Sequence, residues 1–293
     1  MSEIKNILVP IDFNQKSLIA LEQATHVAKL LKYDIMLLYV HEETGIFSKI
    51  FSDSKGEEKI LEILQLKLDE IASGYSSKSG VLIKTMLGKG KVQSKIVEIA
   101  EMIDSQLIIM GTNSEAEAKK TIGANTHKVI RWAKCPVITI NGLHHENGCR
   151  SILLPLDLTI ETRQKVTKAI EMAKIFGATI KVVSALWSKK DKEIIDKLKK
   201  QLNMVHSYIE ERGVVCHSEI IESTEDEKTM IPIILNYAAE QGDVDLIMIM
   251  TQKEVGFIDY FMDSNAQEVI RTSEIPVMCI APKEIGIIQS KGF

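Results

Sequence analysis

Glycine–lysine runs, paired histidines and lone cysteines are the residues of this chain whose types and spacing could do chemistry. Gly88-Lys89-Gly90-Lys91 invites comparison with a phosphate loop, in which glycine admits backbone amides to an anion and lysine neutralises it. The spacing GxxxxGK(S/T) is not met, so the run reads as a turn between a third strand and a third helix. His144, His145 and Cys149 are potential metal ligands, as are Cys216 and His217, but neither set has a second ligand pair nearby, and the histidines read as solvated residues. Cys135 and Cys279 read as small core hydrophobes, and the four cysteines have no CxxC spacing that would indicate a zinc ribbon or a disulfide framework. No pair suited to act as nucleophile and base is recognisable, which points away from covalent catalysis.

The elements that position these residues occur twice. Ile7-Leu8-Val9-Pro10-Ile11-Asp12-Phe13 returns 145 residues later as Ile152-Leu153-Leu154-Pro155-Leu156-Asp157-Leu158. Val129-Ile130-Arg131 with Pro136-Val137 returns 140 residues later as Val269-Ile270-Arg271 with Pro276-Val277. A repeat this long is a whole domain copied, since solenoid units run roughly 20–50 residues. A length of 293 residues accommodates two domains of the common size of about 100–150 residues.

Within each copy, short Ile/Val/Leu-rich runs alternate with segments of helical period. Strands are expected near 5–12, 34–41, 81–87, 106–112 and 136–141, and again near 150–157, 179–186, 214–221, 245–251 and 275–281. Helices are expected near 15–32, 57–76, 91–103 and 121–133, then 161–177, 190–212, 228–241 and 261–272. In the first helix Leu18, Leu21, Ala24, Ala28 and Leu31 share one face. Such alternation implies parallel sheets covered on both faces. The polar stretch 142–148 reads as the boundary. Segment 42–56, with Ile46, Phe47, Ile50 and Phe51, departs from regular structure, and the tail after Pro282 reads as a frayed terminus.

A net charge of −4 argues against nucleic acid as a partner, because phosphate binding draws on clustered Lys and Arg. No apolar run approaches the roughly 18–20 residues of a membrane span, and Met1 leads into a strand pattern without a charged leader. Cytoplasm is the expected location.

Three features in order resemble the universal stress protein family: a first strand ending Val9-Pro10-Ile11-Asp12, a fourth ending Met110-Gly111-Thr112, and a closing Val129-Ile130-Arg131 with Cys135-Pro136-Val137. The second half keeps them in weaker form as Leu154-Pro155-Leu156-Asp157, Ile249-Met250-Thr251 and Val269-Ile270-Arg271 with Ile275-Pro276-Val277. The resemblance implies an α/β fold of the adenine-nucleotide alpha-hydrolase-like type: two tandem five-stranded parallel-sheet domains with helices on both faces, over residues 1–141 and 150–282.

ATP-binding members of that family carry Gly-x2-Gly-x9-Gly-(Ser/Thr) after the fourth strand, where glycines and a helix N-terminus receive the phosphates. The first half matches with Gly111, Ser114 in place of the second glycine, Gly123, and Ala124 at the hydroxyl position, one residue short between Ser114 and Gly123. Asn125 and Thr126 could add amide and hydroxyl donors. Asp12 and the strand-two end at Val40 and His41 occupy the places that hold ribose and adenine. The second half reads Met250, Lys253, Asp263 and Ser264, so the glycines are gone and a carboxylate stands where phosphates would lie. The resemblance thus implies ATP in the first half only, at a degenerate site.

The function this favours is a non-enzymatic stress-response protein acting by binding a ligand or protein partners. A nucleotide-free scaffold and a weak ATP hydrolase are the alternatives. Family dimers pair through final strands, which implies an internal pseudo-dimer with Ile138, Ile140, Met278 and Ile280 near the seam, open to further homodimerisation. No metal is expected.

Overall fold

A computed structural model of the chain describes residues 5–42, 54–112, 124–141, 148–156, 162–186, 192–222, 231–250 and 268–280. The expectations for segment 42–56 and for the tail after Pro282 fall almost wholly outside these residues.

The first half runs β1 (Asn6–Ile11), α1 (Gln15–Leu31), β2 (Asp34–His41), α2 (Ser54–Ser79), β3 (Ile83–Lys89), α3 (Val92–Met102), β4 (Leu107–Gly111), α4 (Ala124–Trp132) and β5 (Val137–Ile140). The second runs β6 (Ser151–Pro155), α5 (Thr162–Phe176), β7 (Thr179–Leu186), α6 (Lys192–Glu210), β8 (Cys216–Glu222), α7 (Ile231–Gln241), β9 (Leu246–Met250) and β10 (Val277–Ile280), with a helical turn at 268–272 before the last strand.

Local chemistry sets these bounds. Asn14 caps α1, its side-chain oxygen accepting the Ser17 N–H at 2.9 Å, a contact worth about 1 kcal/mol at a helix start. The helix ends where Lys32 turns left-handed, with φ 58°. Between these ends Ala20, Leu21, Ala24 and Ala28 are fully buried at spacings of one, three and four, the stripe that holds α1 on the sheet.

All ten strands join one sheet in the order β3-β2-β1-β4-β5-β10-β9-β6-β7-β8. Every ladder is parallel except one: β5 and β10 run antiparallel, with Thr139 opposite Val277, Ile138 opposite Met278 and Val137 opposite Cys279. Helices α1, α2, α5 and α6 cover one face, over Ile7, Val9, Ile35, Ile152 and Ile180. Helices α3, α4 and α7 cover the other, over Leu8, Leu38, Ile108 and Leu153. Ile138, Ile140, Met278 and Ile280 all lie on the α1/α5 side of the seam and are buried.

Bounds differ from expectation mainly at α2, which runs three residues beyond 57–76 at each end, and at β3. β3 ends at Lys89, two residues beyond the sequence reading, so Gly88 and Lys89 are strand and not turn. The parallel register with β2 continues through Val40–Gly88 and His41–Lys89, and the chain reverses only at Gly90, where φ is 121°.

Candidate functional site

In each half the strand order reverses direction between the first and fourth strands, and open α/β sheets form a crevice at the carboxyl ends of such strands. The first half has one, enclosing about 170 Å³ between the ends of β1, β2 and β4 and the starts of α3 and α4. Leu38, Val40, Ile96 and Met110 form its apolar wall, and Asp12, Thr112 and Asn125 lie on its polar side.

Asp12 follows β1 and is exposed. Its two carboxylate oxygens accept the Asn14 backbone N–H at 3.2 Å and the Asn14 side-chain amide at 2.7 Å, so the residue that caps α1 also orients the carboxylate. Between them stands Phe13 at φ 66°, a left-handed backbone that costs a bulky residue on the order of 1–3 kcal/mol. Offsetting contacts surround it: the ring stacks on Tyr39 at 4.8 Å, and the Lys67 ammonium lies 4.3 Å from its centroid. Burial, and then the nearby charge of Asp12, push the Tyr39 hydroxyl above its ordinary pKa.

Across the cleft, Gly111 packs tightly beneath the start of α1. A Cβ there would stand 3.2 Å from the carbonyl carbon and the Cβ of Lys16. The next residue, Thr112, is buried and donates its hydroxyl to the Asn141 side-chain oxygen at 2.9 Å. Lys16 donates to the same oxygen at 3.2 Å. The Thr126 hydroxyl, which also lines the cleft, donates to the Thr112 carbonyl at 3.0 Å.

With this geometry in place, comparison with known proteins is decisive for ancestry. The sequence model of the universal stress protein family matches residues 3–141 and, a second time, 148–281. The chain belongs to this family. A universal stress protein of Methanocaldococcus jannaschii is 29% identical over 140 residues, 46% of this chain and 81% of the relative. The universal stress protein YxiE of Bacillus subtilis is 29% identical over 145 residues, 46% of this chain and 97% of its own. Among solved structures, a universal stress protein from Archaeoglobus fulgidus aligns over 94% of this chain and 98% of its own with a TM-score of 0.75 and 19% identity, a likeness of fold alone.

Against this universal stress protein frame, Asp12, Val40, Gly111 and Asn125 stand on the walls of one cleft. Ala124 opens α4. Ser114 and Gly123 lie outside the described residues. In the second half, Met250 takes the place of Gly111 and is buried, so α5 cannot approach β9 there as α1 approaches β4. Lys165, at the position of Ala20, is buried as well and donates to the Pro155 carbonyl at 2.6 Å, at the end of β6.

Sequence reasoning missed Phe13, Lys16, Thr112 and Asn141. Only the positive φ of Phe13 breaks a local rule, and dihedrals are not written in composition. The metal candidates fare differently. Cys216 is buried and His217 exposed, because neighbours on a strand point to opposite faces, so the two cannot share one ion. No group of three ligating side chains occurs among the described residues. Burial pushes the thiol of Cys149 up to about 12 and that of Cys135 up to about 11, which keeps both protonated at neutral pH.

Proposed function

We propose that the protein acts without catalysis, holding an adenine nucleotide in the first-half cleft and presenting that state to partners. The observation that carries this reading is the cleft itself: an exposed carboxylate at the end of β1 faces an apolar wall, at the point where the strand order reverses. The described residues suit the nucleoside end of such a ligand. Asp12 can accept from ribose hydroxyls, and Leu38, Val40 and Ile96 offer a surface for a base. At the other end α4 begins beside Gly111 and Thr112, and a helix N-terminus favours phosphate. Asp12 is oriented by Asn14 and Thr126 by Thr112, fixed positions that suit holding a ligand.

The antiparallel β5–β10 ladder supports reading the two halves as an internal pair. Four free cysteines suit a reducing compartment, hence the cytoplasm. No helix among the described residues is long and apolar enough to cross a membrane. A second reading, a nucleotide-free scaffold for protein partners, is favoured by Ile63 and Leu66, 64% and 65% exposed one turn apart on α2.

Calorimetric titration of the whole chain with ATP, ADP and adenosine tests the first reading. Saturation at one site per chain is expected. Asp12→Ala should weaken it by about 10–100-fold, the worth of a hydrogen bond to a charged group. Absence of saturable heat with all three ligands, or an Asp12→Ala variant that binds as tightly as the parent, would refute it.

A further inference from the structure

Asn141 sits just past β5, where the two halves meet, and each end of its amide serves a different half. Its oxygen accepts the Thr112 hydroxyl at 2.9 Å and the Lys16 ammonium at 3.2 Å, both in the first half beside the cleft. Its NH2 group donates to the carbonyls of Arg271 at 2.8 Å and Ser273 at 3.2 Å, both in the second half. Two lone pairs and two protons are thereby all used.

The topology makes this meeting unavoidable. Because β5 and β10 are antiparallel, the carboxyl end of β5 lies beside the residues that lead into β10. Those residues close the helical turn at 268–272, whose last carbonyls need donors from outside the helix. Ser273 is buried, and its hydroxyl donates to the Ile275 carbonyl at 2.7 Å and accepts the Ile275 N–H at 3.1 Å. Asn141 therefore holds a tight turn that sets how β10 enters the seam.

On the other side, Thr112 borders the cleft, and its carbonyl receives the Thr126 hydroxyl from the first turn of α4. A planar amide held at both ends cannot shift one set of bonds without straining the other. The second half does not repeat this pair of residues in its sequence. Ala281 stands 140 residues after Asn141, and Glu161 stands 145 after Lys16, so the sequence there supplies neither the amide nor the cation.

We propose that Asn141 couples the first-half cleft to the second half, so that a ligand held against Thr112 and the start of α4 stabilises the 271–275 turn and the strand that follows it. The ligand part rests on the nucleotide reading above; the coupling itself does not.

Hydrogen exchange on the whole chain separates the two. Without ligand, Thr112→Val removes one hydroxyl at the cleft and keeps the side chain's shape. The amides of Ser273 and Ile275, bonded to the Val269 carbonyl and the Ser273 hydroxyl, should then exchange faster by on the order of fivefold, the worth of about one hydrogen bond. In an Asn141→Ala background the same substitution should add nothing. Asn141→Asp keeps the acceptor for Thr112 and loses both donors to the second half, and it should uncouple the turn in the same way. Unchanged exchange at Ser273 and Ile275 in Thr112→Val overturns the proposal.

With ATP at a concentration shown by calorimetry to saturate, those two amides should slow in the parent and not in Asn141→Ala. Equal slowing in both would overturn the ligand coupling, as would no slowing in the saturated parent. If calorimetry finds no ATP binding, the nucleotide reading fails, and the Thr112→Val comparison alone decides the coupling.

Discussion

Substituting alanine for Gly111 isolates the reason that β4 ends in glycine. The backbone there is ordinary strand, so the change carries no conformational strain, and the reduced freedom of the unfolded chain should by itself stabilise by about 0.4–1 kcal/mol. Opposing this, the new methyl meets Lys16, with the carbonyl carbon at 3.2 Å and the carbonyl oxygen at 3.3 Å. These are backbone atoms of a capped helix whose Ala20, Leu21, Ala24 and Ala28 are fully buried, so α1 can yield only by moving as a body. Overpacking of that kind costs about 1–3 kcal/mol, which leaves a net loss of about 0.5–2 kcal/mol. Gly88→Ala is the matched control. Gly88 is buried and its methyl would come 2.8 Å from Lys95 Cγ, which clears by turning one side chain and not by moving a helix backbone, so a loss smaller than that of Gly111→Ala, at most about 1 kcal/mol, is expected. Urea denaturation at constant slope measures both variants. A Gly111→Ala protein as stable as the parent, or a Gly88→Ala protein that loses more, would refute the packing argument and return Gly111 to a role in ligand approach alone.

Ile138→Asp places a carboxylate opposite Met278, where Ile138 is 5% exposed. An unpaired charge there costs several kcal/mol, and solution scattering should show the halves separating or the protein aggregating; a variant with unchanged shape and melting temperature would contradict the seam. Stability should also fall as the pH rises above about 9. The thiols of Cys149 and Cys216 are pushed up to about 12, mainly by burial, from the ordinary thiol value of 9.0. The unfolded chain therefore releases these protons first, and the folded state loses ground progressively between about 9 and 12. Urea midpoints that hold steady across that range would show that the thiols are not buried in this way.

The strands and helices were legible because buried parallel strands read as short Ile/Val/Leu runs and α1 carries its stripe in plain spacing. β3 was misjudged at Gly88-Lys89 because glycine beside lysine carries a turn signal, whereas pairing with Val40 and His41 decided the matter from a distant segment. The cleft was legible only in part, for a related reason. Asp12 and Gly111 sit at strand ends, where the family motif names them. Asn141 meets partners 29 and 130 residues away, and nothing local marks an asparagine after a strand as a bridge. Thr126 was legible as a donor, but the acceptor that claims its hydroxyl is the Thr112 carbonyl, which only the folded chain brings within reach.

The lone antiparallel ladder also has a consequence in time. β5 is the last strand of the first half, and its outer side is closed only by β10, which begins 137 residues further along the chain. At about 5–20 residues per second of synthesis, the nascent first half waits roughly 7–27 s with that side unpaired. During the wait, the backbone groups of Val137–Ile140 form an open sheet edge flanked by Ile138 and Ile140, the kind of edge on which chains join one another. The cost falls on one copy only. When the second half completes its own sheet, its final strand arrives beside a partner already in place.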